Sequence, residues 1–387
     1  MSAEARAASG RAVLDASALS KPRFTALPPL ALYVHVPWCV RKCPYCDFNS
    51  HAAPEALPED AYVDALIADL ETALPQVWGR KVGSIFIGGG TPSMFSAAAI
   101  DRLLAAIRAR LPIAPDAEIT LEANPGTFER ERFAGYYAAG VNRLSLGIQS
   151  FDDRHLQALG RVHDAREARR AAESALMIFG NVNFDLMFAL PGQDVDDALS
   201  DLRSAIGFGP PHLSFYHLTI EPNTLFHRYP PRIPDEESAA DIEEAILFAL
   251  DAAGYVHYET SAHARPGREC RHNVNYWRFG DYLGIGAGAH SKLSFPDRVL
   301  RQLRFKQPRQ YLEQVAKAAP LQEEIEVSRR DLPFEFMLNA LRLTEGVPSA
   351  MFAERSGLPL AVVAAPIEEA TRKGLLEPDP SVLRPTP

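Results

Sequence analysis

Short apolar segments alternate with amphipathic segments along the chain after residue 30. Six of the apolar segments are rich in β-branched or aromatic residues and predict strands: 31–36, 81–89, 117–123, 143–149, 181–188 and 212–219. Their nearly continuous apolar character indicates strands that are buried on both faces, as in a parallel sheet.

Apolar residues recur at helical spacing between these strands. One helical face holds Val63, Leu66, Ile67, Leu70 and Leu74, and a second holds Ile100, Leu103, Leu104, Ile107 and Leu111, with Ser96 as its candidate N-cap. Alternating strands and helices form βαβ units with right-handed crossovers. Six repeats are fewer than the eight of a closed barrel. The pattern therefore predicts an α/β fold built on a partial, open-sided (β/α)6 barrel over residues 30–225.

The pattern changes on either side of this barrel. Residues 1–29 predict a disordered leader, because they are rich in Ala, Ser and Arg and lack an apolar signal segment. Residues 226–325 form a barrel-associated region with a helix near 236–252 and a strand around 255–260. Residues 326–387 predict three helices and a short strand, which is typical of a small winged-helix-like domain.

Charge and hydropathy limit the classes of partner. The 387 residues carry a net charge of −9, and no segment approaches the roughly 20 apolar residues of a membrane-spanning helix. The acidic balance favours a structural role for the C-terminal domain over nucleic-acid binding. We therefore expect a cytoplasmic protein without a nucleic-acid partner or a transmembrane segment.

Three of the four cysteines lie in one short segment, HVPWCVRKCPYCDFNSH (35–51), directly after the first predicted strand. Cys39, Cys43 and Cys46 are too closely spaced for a disulfide framework and indicate metal or redox chemistry. Parallel sheets and barrels place their chemistry at the carboxyl ends of the strands, where this loop lies. Three thiolates on one loop can hold three irons of a cubane cluster, which leaves the fourth iron open.

A zinc site is the alternative interpretation of these cysteines. It would have three thiolates and a fourth ligand from His35 or His51. Zinc sites usually combine two short ligand pairs, whereas here all three cysteines share one loop and Cys270 is remote in sequence. The iron–sulfur interpretation is therefore favoured.

Polar residues recur near the predicted carboxyl ends of the later strands. GGGTPS (88–93) follows the second strand, and its glycines allow close backbone approach to a zwitterionic ligand. Glu122, Gln149 and Asp185 lie at or near the ends of later strands, and Arg161 suits a carboxylate. Such residues are costly to bury without partners, so the series predicts one shared ligand.

Eight motifs of the chain resemble those of the radical S-adenosylmethionine superfamily, in its coproporphyrinogen III oxidase-like branch. They are YVHVPWC, CPYCDF, GGGTP, LEANP, LGIQSF, LGRVH, FDLMFALPGQ and LTIEPNT. The resemblance implies that the amino and carboxylate groups of S-adenosylmethionine bind the open iron. Carried over by position, it implies cofactor contacts from Tyr33, Tyr45, Gly89, Gly90, Thr91, Glu122, Gln149, Arg161 and Asp185.

Two further features separate the members of this branch. The oxidases carry another cysteine two residues after the third cluster cysteine, where this chain has Phe48. The chain also contains H-N-x-x-Y-W and in this resembles the HemW subfamily of heme chaperones. That resemblance implies heme binding through His272, Asn273, Tyr276 and Trp277, with Cys270 as a candidate second contact. Read without the resemblance, the segment is a polar loop whose aromatic residues cover the open side of the barrel.

The resemblance implies a heme chaperone that carries a [4Fe–4S] cluster with S-adenosylmethionine and transfers heme to acceptor proteins. Peripheral contact with membrane-bound acceptors is part of this expectation. The alternative is a radical enzyme, either the oxygen-independent coproporphyrinogen III oxidase or one that acts on another substrate, and no catalytic residue is assigned. Phe48 and the 272–277 segment both favour the chaperone.

Overall fold

The computed structural model describes residues 21–126 and 129–386. Its strands are β1 (Leu30–Val36), β2 (Trp38–Cys39), β3 (His51–Ala52), β4 (Val82–Gly89), β5 (Ile113–Ala123), β6 (Arg143–Gln149), β7 (Val182–Phe188), β8 (His212–His217), β9 (Val256–Glu259), β10 (Ala262–Ala264), β11 (Asp281–Ile285), β12 (His290–Phe295), β13 (Arg298–Arg304), β14 (Leu321–Glu326), β15 (Val347–Pro348) and β16 (Val382–Leu383).

The helices alternate with the strands in the first half of the chain and group together at its end. They are α1 (Glu59–Val77), α2 (Ala97–Arg110), α3 (Glu129–Ala139), α4 (Asp153–Ala158), α5 (Ala165–Ile178), α6 (Val195–Phe208), α7 (Leu225–Arg228), α8 (Glu236–Ala252), α9 (Arg271–Trp277), α10 (Pro308–Val315), α11 (Leu332–Ala340), α12 (Ala350–Ser356) and α13 (Ala364–Arg372). Short 3₁₀ turns occupy Pro92–Met94 and Leu360–Val363.

One twelve-stranded sheet organises the molecule, in the order β14-β13-β12-β11-β1-β4-β5-β6-β7-β8-β10-β9. Strands β1 and β4 to β8 are parallel neighbours in the predicted order. The α/β class and the partial (β/α)6 barrel are therefore confirmed. Ser96 also caps α2 as predicted, because its side chain accepts a hydrogen bond from the backbone N–H of Ala99.

The two faces of the barrel strands differ in chemistry. Side chains alternate along a strand, so Leu32 and Val34 of β1 pack with the apolar faces of the helices, while Tyr33 and His35 face the barrel interior. The interior positions of β5 to β8 are mostly polar or charged, among them Glu118, Arg143, Asn183 and His212. The helical layer thus supplies the hydrophobic core, and the barrel encloses polar side chains that can bind a ligand.

Both edges of the barrel sheet continue into further strands, of which the sequence pattern predicted only the one around 255–260, now β9. β11 pairs in parallel with β1, and β12, β13 and β14 follow as antiparallel neighbours. These strands were missed because buried charges interrupt their apolar pattern: Lys292 on β12 and Arg304 on β13 are each 1% exposed. On the other edge, β10 pairs with β8, and β9 pairs with β10 as the outermost strand.

The charges buried in this extension are paired. Asp281 accepts hydrogen bonds from Lys292 Nζ at 3.0 Å and from the Ser294 backbone N–H at 2.8 Å, and it forms a salt bridge with Arg80 at 2.8 Å. Taking a charge out of water is expensive unless partners replace its hydration shell. Asp281 therefore fixes β11, β12 and Arg80, two residues before β4, relative to one another.

The C-terminal segment is helical, as expected, and its apolar core also takes in residues of β9, β10 and β13. Phe336 of α11 and Phe352 of α12 pack edge to face with ring centroids 5.2 Å apart, and β15 pairs with β16. Residues 21–29, part of the predicted disordered leader, lie against this region. The backbone N–H of Arg23 donates to Gly357 O at 2.9 Å, and Phe24 N–H donates to Pro296 O at 3.2 Å. The leader boundary at residue 29 was therefore placed too late, and residues 1–20 lie outside the described residues.

Among the described residues, no single helix is long and apolar enough to cross a membrane. One bent pair, Ala350–Ser356 with Leu360–Arg372, reaches the length and composition of a span only when its two parts are taken together across a 105° break.

Asp281→Ala is expected to lower the free energy of unfolding by about 3–5 kcal/mol, because it leaves Lys292 charged and buried without its carboxylate. The matched control is Asp297→Ala, which also removes a carboxylate with two cationic partners, Lys21 and Arg298, but at the surface. The control should cost about 1 kcal/mol or less. Urea unfolding of both variants measures the difference, and equal losses would contradict the role given to Asp281.

Candidate functional site

The cysteine loop leaves the carboxyl end of β1 and is closed by short-range pairing. Trp38 and Cys39 of β2 pair with His51 and Ala52 of β3, and Ala53 N–H donates to Cys39 O at 2.9 Å. This pairing ties the two ends of the loop together. Cys39, Cys43 and Cys46 are all half-buried and line the same cavity.

The geometry of the loop does not match tetrahedral zinc. Thiolates bound to zinc at about 2.3 Å lie about 4 Å from one another. Within the described ranges, Asp152, His155 and Asp197 form the one group of three candidate ligands gathered within 4.8 Å, and the three sulfurs form no such group. At least two of the three sulfurs therefore lie farther apart than they would on one zinc ion.

Neither histidine proposed as a fourth zinc ligand points at the cysteines. His35 is bonded through both ring nitrogens, to Tyr33 Oη at 2.9 Å and to the Asn49 backbone oxygen at 2.9 Å. Burial lowers the pKa of His35 to about 4, so the ring is neutral. His51 contacts the Asn49 side-chain oxygen at 3.3 Å. The His35 ring therefore joins the loop to β1, and the His51 ring makes its contact within the loop.

Arg161 connects the cysteine loop to the strand ends. Its Nη1 lies 3.6 Å from Cys43 Sγ, and its Nη2 donates to Asn124 Oδ1 at 2.7 Å and to Gly147 O at 2.8 Å. Asn124 Nδ2 in turn donates to Thr91 Oγ1 at 3.0 Å. The sequence interpretation included Arg161 and Thr91 but missed Asn124, although it stands two residues after Glu122 in the LEANP motif.

The glycine turn lies flat against the start of the cysteine loop. A Cβ at Gly90 would stand 2.5 Å from the Trp38 backbone oxygen, and one at Gly89 would stand 2.6 Å from the His35 ring. Gly89 also has a φ of +116°, which a side chain would make unfavourable. A substitution such as Gly90→Val would therefore displace the residue preceding Cys39 and would not act on the cofactor pocket alone.

Two carboxyl groups face each other across the strand ends. Glu122 Oε2 accepts a hydrogen bond from the Gly89 backbone N–H at 3.0 Å. Burial, and secondarily the charge of Asp185, raise the pKa of Glu122 to about 8. Burial also raises the pKa of Asp185, which accepts hydrogen bonds from Ser145 Oγ at 2.9 Å and Asn183 Nδ2 at 2.8 Å. These carboxyls can accept from hydroxyl or ammonium groups of a ligand.

A break in strand pairing turns Gln149 toward the site. The pairing of β6 with β7 shifts register between Gly147 and Gln149, and Gln149 has a φ of +68°. Such a bulge redirects a side chain and is common next to binding sites. Gln149 lines the cavity together with the cysteines.

The cavity brings together almost all of the predicted cofactor contacts. Its volume is about 740 Å³, and its lining includes Cys39, Cys43, Tyr45, Cys46, Gly89, Gly90, Thr91, Glu122, Gln149, Arg161 and Asp185. Tyr33 is the exception, because it lies deeper in the barrel and bonds to His35. Three thiols, a glycine turn with exposed backbone groups, two carboxyls and a guanidinium fit a cluster chelated by a zwitterionic cofactor.

The predicted heme segment lies at the opposite end of the barrel. Helix α9 closes the end where β1, β4 and β11 begin. His272 is buried, with Nδ1 at 3.3 Å from Ser84 Oγ and its ring centroid 5.0 Å from that of Phe86. Asn273, Tyr276 and Trp277 are half-buried. The structure therefore separates these four residues from the cysteine cavity.

Cys270 is enclosed next to this segment. It is fully buried, and its thiol donates to Glu118 Oε1 at 3.5 Å. Burial raises the pKa of Cys270 to about 12, so the thiol is protonated. As a heme contact it would first have to be uncovered.

Comparison with known proteins places this chain among radical S-adenosylmethionine proteins. The model of the Radical SAM superfamily matches residues 33–205, and the model of the HemN C-terminal domain matches residues 327–387. The protein named heme chaperone HemW of Escherichia coli (strain K12) is 52% identical over 352 residues, which covers 90% of this chain and 92% of that protein.

A more distant relative and one solved structure agree with this family assignment. Heme chaperone HemW of Mycobacterium tuberculosis (strain ATCC 25618 / H37Rv) is 37% identical, and the match covers 85% of this chain and 86% of that protein. The solved structure of the Escherichia coli coproporphyrinogen III oxidase HemN, described as a radical SAM enzyme, superposes with a TM-score of 0.80 at 25% identity, covering 93% of this chain and 87% of that one.

Replacing Cys39, Cys43 or Cys46 singly by Ala is expected to abolish cluster assembly after anaerobic reconstitution. Cys270→Ala should retain full iron and sulfide content, because Cys270 lies at the other end of the barrel. Iron and sulfide analysis with absorption spectroscopy measures both. Loss of iron in Cys270→Ala, or tetrahedral zinc in the purified protein, would contradict this assignment.

The raised pKa of Glu122 predicts a pH dependence of stability in the protein without cluster or cofactor. The folded state holds a proton that the unfolded state releases near pH 4.5, so this stabilisation is lost as pH rises toward about 8. Glu122→Gln removes the titration but keeps an acceptor for Gly89 N–H. Between pH 4.5 and about 8, the free energy of unfolding of the wild type should fall relative to that of the variant, by at most about 1.4 kcal/mol per pH unit. Parallel curves from urea unfolding would refute the assignment.

Proposed function

This chain belongs to the HemW family of heme chaperones within the Radical SAM superfamily, and we propose that it binds heme and transfers it to acceptor proteins. The observation that carries this proposal is the H-N-x-x-Y-W segment at 272–277, in a chain that is 52% identical to a heme chaperone over 352 residues.

Membership of the superfamily implies a [4Fe–4S] cluster and S-adenosylmethionine. We propose that Cys39, Cys43 and Cys46 hold the cluster. When bound, S-adenosylmethionine completes the coordination of the iron that has no cysteine, through its amino and carboxylate groups. The strand-end carboxyls of Glu122 and Asp185 can accept hydrogen bonds from its polar groups.

The remaining cavity residues would orient the cofactor and the cysteine loop. Arg161 holds Asn124 at 2.7 Å and stands 3.6 Å from Cys43 Sγ, so it can fix the loop while it offsets thiolate charge. Gly89, Gly90 and Thr91 allow close backbone approach, and Gln149 and Tyr45 reach the cavity from the other sides.

Phe48 is evidence against the decarboxylase alternative. It occupies the position of the additional cysteine in the oxidases, is 61% exposed and lines the mouth of the cysteine cavity. A phenyl ring there supplies neither a thiol nor a metal ligand. The fold similarity to coproporphyrinogen III oxidase is therefore consistent with a shared architecture. The two proteins differ in the side chain at this position of the cavity mouth.

We propose that heme binds at α9 on the far side of the barrel. Tyr276 and Trp277 pack edge to face at 4.9 Å, and the Arg342 guanidinium lies 4.3 Å from the centroid of a Trp277 ring. One turn before Arg342, Leu338 of α11 is 61% exposed. These groups offer aromatic and apolar surface to a porphyrin and a cation to its propionates. Iron ligation by His272 requires α9 to move, because the ring is enclosed by β1 and β4.

The wider setting remains part of the proposal. We propose a cytoplasmic protein that reaches membrane-bound heme acceptors by peripheral contact, with no nucleic-acid partner. We propose that the chain has three units for this function. The radical SAM barrel comprises 30–225, the region at 226–325 adds strands to the same sheet and contains α9, and the C-terminal domain comprises 326–387.

The reconstituted protein is expected to bind heme saturably, with a Soret band that titrates to a stoichiometric end point. His272→Ala should shift that band by removing an axial ligand, and Trp277→Ala should weaken affinity by removing stacking, with cluster content intact in both. The control is His263→Ala, another buried histidine, which should bind heme as the wild type does. A protein that binds no heme but decarboxylates coproporphyrinogen III would overturn the chaperone function.

A further inference from the structure

A chain of buried hydrogen bonds begins at the cofactor cavity. Asp185 lines the cavity, and its Oδ1 accepts from Asn183 Nδ2 at 2.8 Å. On the other side of the same amide, Asn183 Oδ1 lies 2.6 Å from His212 Nδ1. His212 Nε2 lies 2.8 Å from Tyr258 Oη. Three side chains thus lead from the cavity into the interior of the barrel.

The same chain ends at the start of α9. Tyr258 Oη accepts from the Cys270 backbone N–H at 3.3 Å. The Cys270 thiol donates to Glu118 Oε1 at 3.5 Å, and the His272 backbone N–H donates to the same oxygen at 3.3 Å. The carboxyl end of the barrel is therefore connected to the first residues of the heme segment.

The direction of the bonds follows from the groups themselves. An amide oxygen only accepts, so His212 Nδ1 must carry the proton that faces Asn183. His212 is neutral, since burial lowers its pKa, and its Nε2 is then an acceptor for the Tyr258 hydroxyl. The Tyr258 oxygen remains free to accept from Cys270 N–H. The second amide proton of Asn183 goes to Ser145 Oγ at 2.8 Å, and each of the other donors along this path has one acceptor, so a change at one member is felt by the next.

The path holds α9 in its enclosed position. The N-cap residue Cys270 makes no capping bond with its own side chain, so Glu118 of β5 and Tyr258 of β9 supply the acceptors at this helix end. Glu118 is itself balanced by the buried Arg143, at 3.9 Å. In this position His272 faces Ser84 and Phe86 and cannot reach an iron outside the barrel.

We propose that this path couples occupancy of the cofactor cavity at Asp185 to the position of α9, and thereby sets the affinity of the 272–277 segment for heme. The inference rests on the proposed heme-binding function. A cofactor group that bonds to Asp185 Oδ1 competes with Asn183 Nδ2 for the same oxygen, and a turn of the Asn183 amide in response would leave His212 Nδ1 to find a new acceptor. Asn183, His212, Tyr258 and Glu118 are positioning residues, because they act on heme through α9.

The coupling is measured as the ratio of two heme dissociation constants, with and without saturating S-adenosylmethionine, in the protein with its cluster reconstituted anaerobically. In the wild type this ratio should differ from one by about fivefold or more, the usual lower range for linked sites. Tyr258→Phe keeps the ring but removes the hydroxyl that joins His212 to Cys270, so the ratio should fall to about one. Linkage also requires heme to change the affinity for S-adenosylmethionine by the same factor.

Tyr255→Phe is the matched control. Tyr255 is also a buried tyrosine, and its hydroxyl donates to Pro210 O at 2.6 Å, outside the path. This variant loses a hydrogen bond of the same kind three residues away and should keep the wild-type ratio. Loss of coupling in both variants would indicate general loosening of the fold and would overturn the proposal.

The other outcomes separate the coupling from the heme function. Absence of saturable heme binding in the wild type would overturn the proposed function and the coupling with it. Saturable binding with a ratio of one, or an unchanged ratio in Tyr258→Phe, would overturn the coupling alone. Hydrogen–deuterium exchange of the wild type needs no variant: S-adenosylmethionine should change amide exchange at 270–277, and identical exchange with and without it would refute the path.

Discussion

Charge buried inside the sheet is the constraint on which the rest of the structure depends. Arg143 with Glu118 lies in the barrel interior, Lys292 with Asp281 lies under the strand extension, and Arg304 with Asp69 joins β13 to α1. Lys292 and Arg304 are hydrogen-bonded to their carboxylates at 3.0 and 3.3 Å, so the partners in these two pairs have little freedom to move apart. The helical layer supplies the apolar core, and these pairs determine how strands distant in sequence are joined. A barrel that closed on apolar side chains would have no room for a polar cofactor.

The barrel could be predicted because its strands recur at regular spacing and turn buried apolar residues toward the helical layer, although many of their interior positions are polar. β12 and β13 could not, since Lys292 and Arg304 resemble surface residues until their partners are known. The cofactor cavity was largely predictable for a related reason: parallel strands end at one edge, so Glu122, Gln149 and Asp185 had to meet there. Asn124 was missed because its role depends on Arg161, 37 residues further along the chain.

The placement of the heme segment shows the limit of local patterns. His272, Tyr276 and Trp277 are conspicuous in sequence, but nothing in their spacing states which end of the barrel they close. Their position follows from β11, whose first residue, Asp281, pairs with Leu30 at the start of β1. The cysteine cavity and the 272–277 segment lie at opposite ends of one barrel, so a ligand at one does not block the other. Hydrogen bonds through the barrel interior can still link the two ends. This arrangement suits a carrier, which must hold its cargo in one condition and release it in another.

The two edges of the sheet are protected in different ways. At β9, the 342–344 segment covers the strand, since Thr260 N–H donates to Arg342 O at 3.1 Å and Thr344 N–H donates to Tyr258 O at 3.2 Å. At β14, the last strand of the sheet within the described chain, the sequence LQEEIE exposes three glutamates beside Ile325. Charged edge strands resist pairing with a second molecule. Protection against aggregation at this edge is therefore electrostatic, and replacing these glutamates by neutral residues would leave an uncharged strand edge open to self-association.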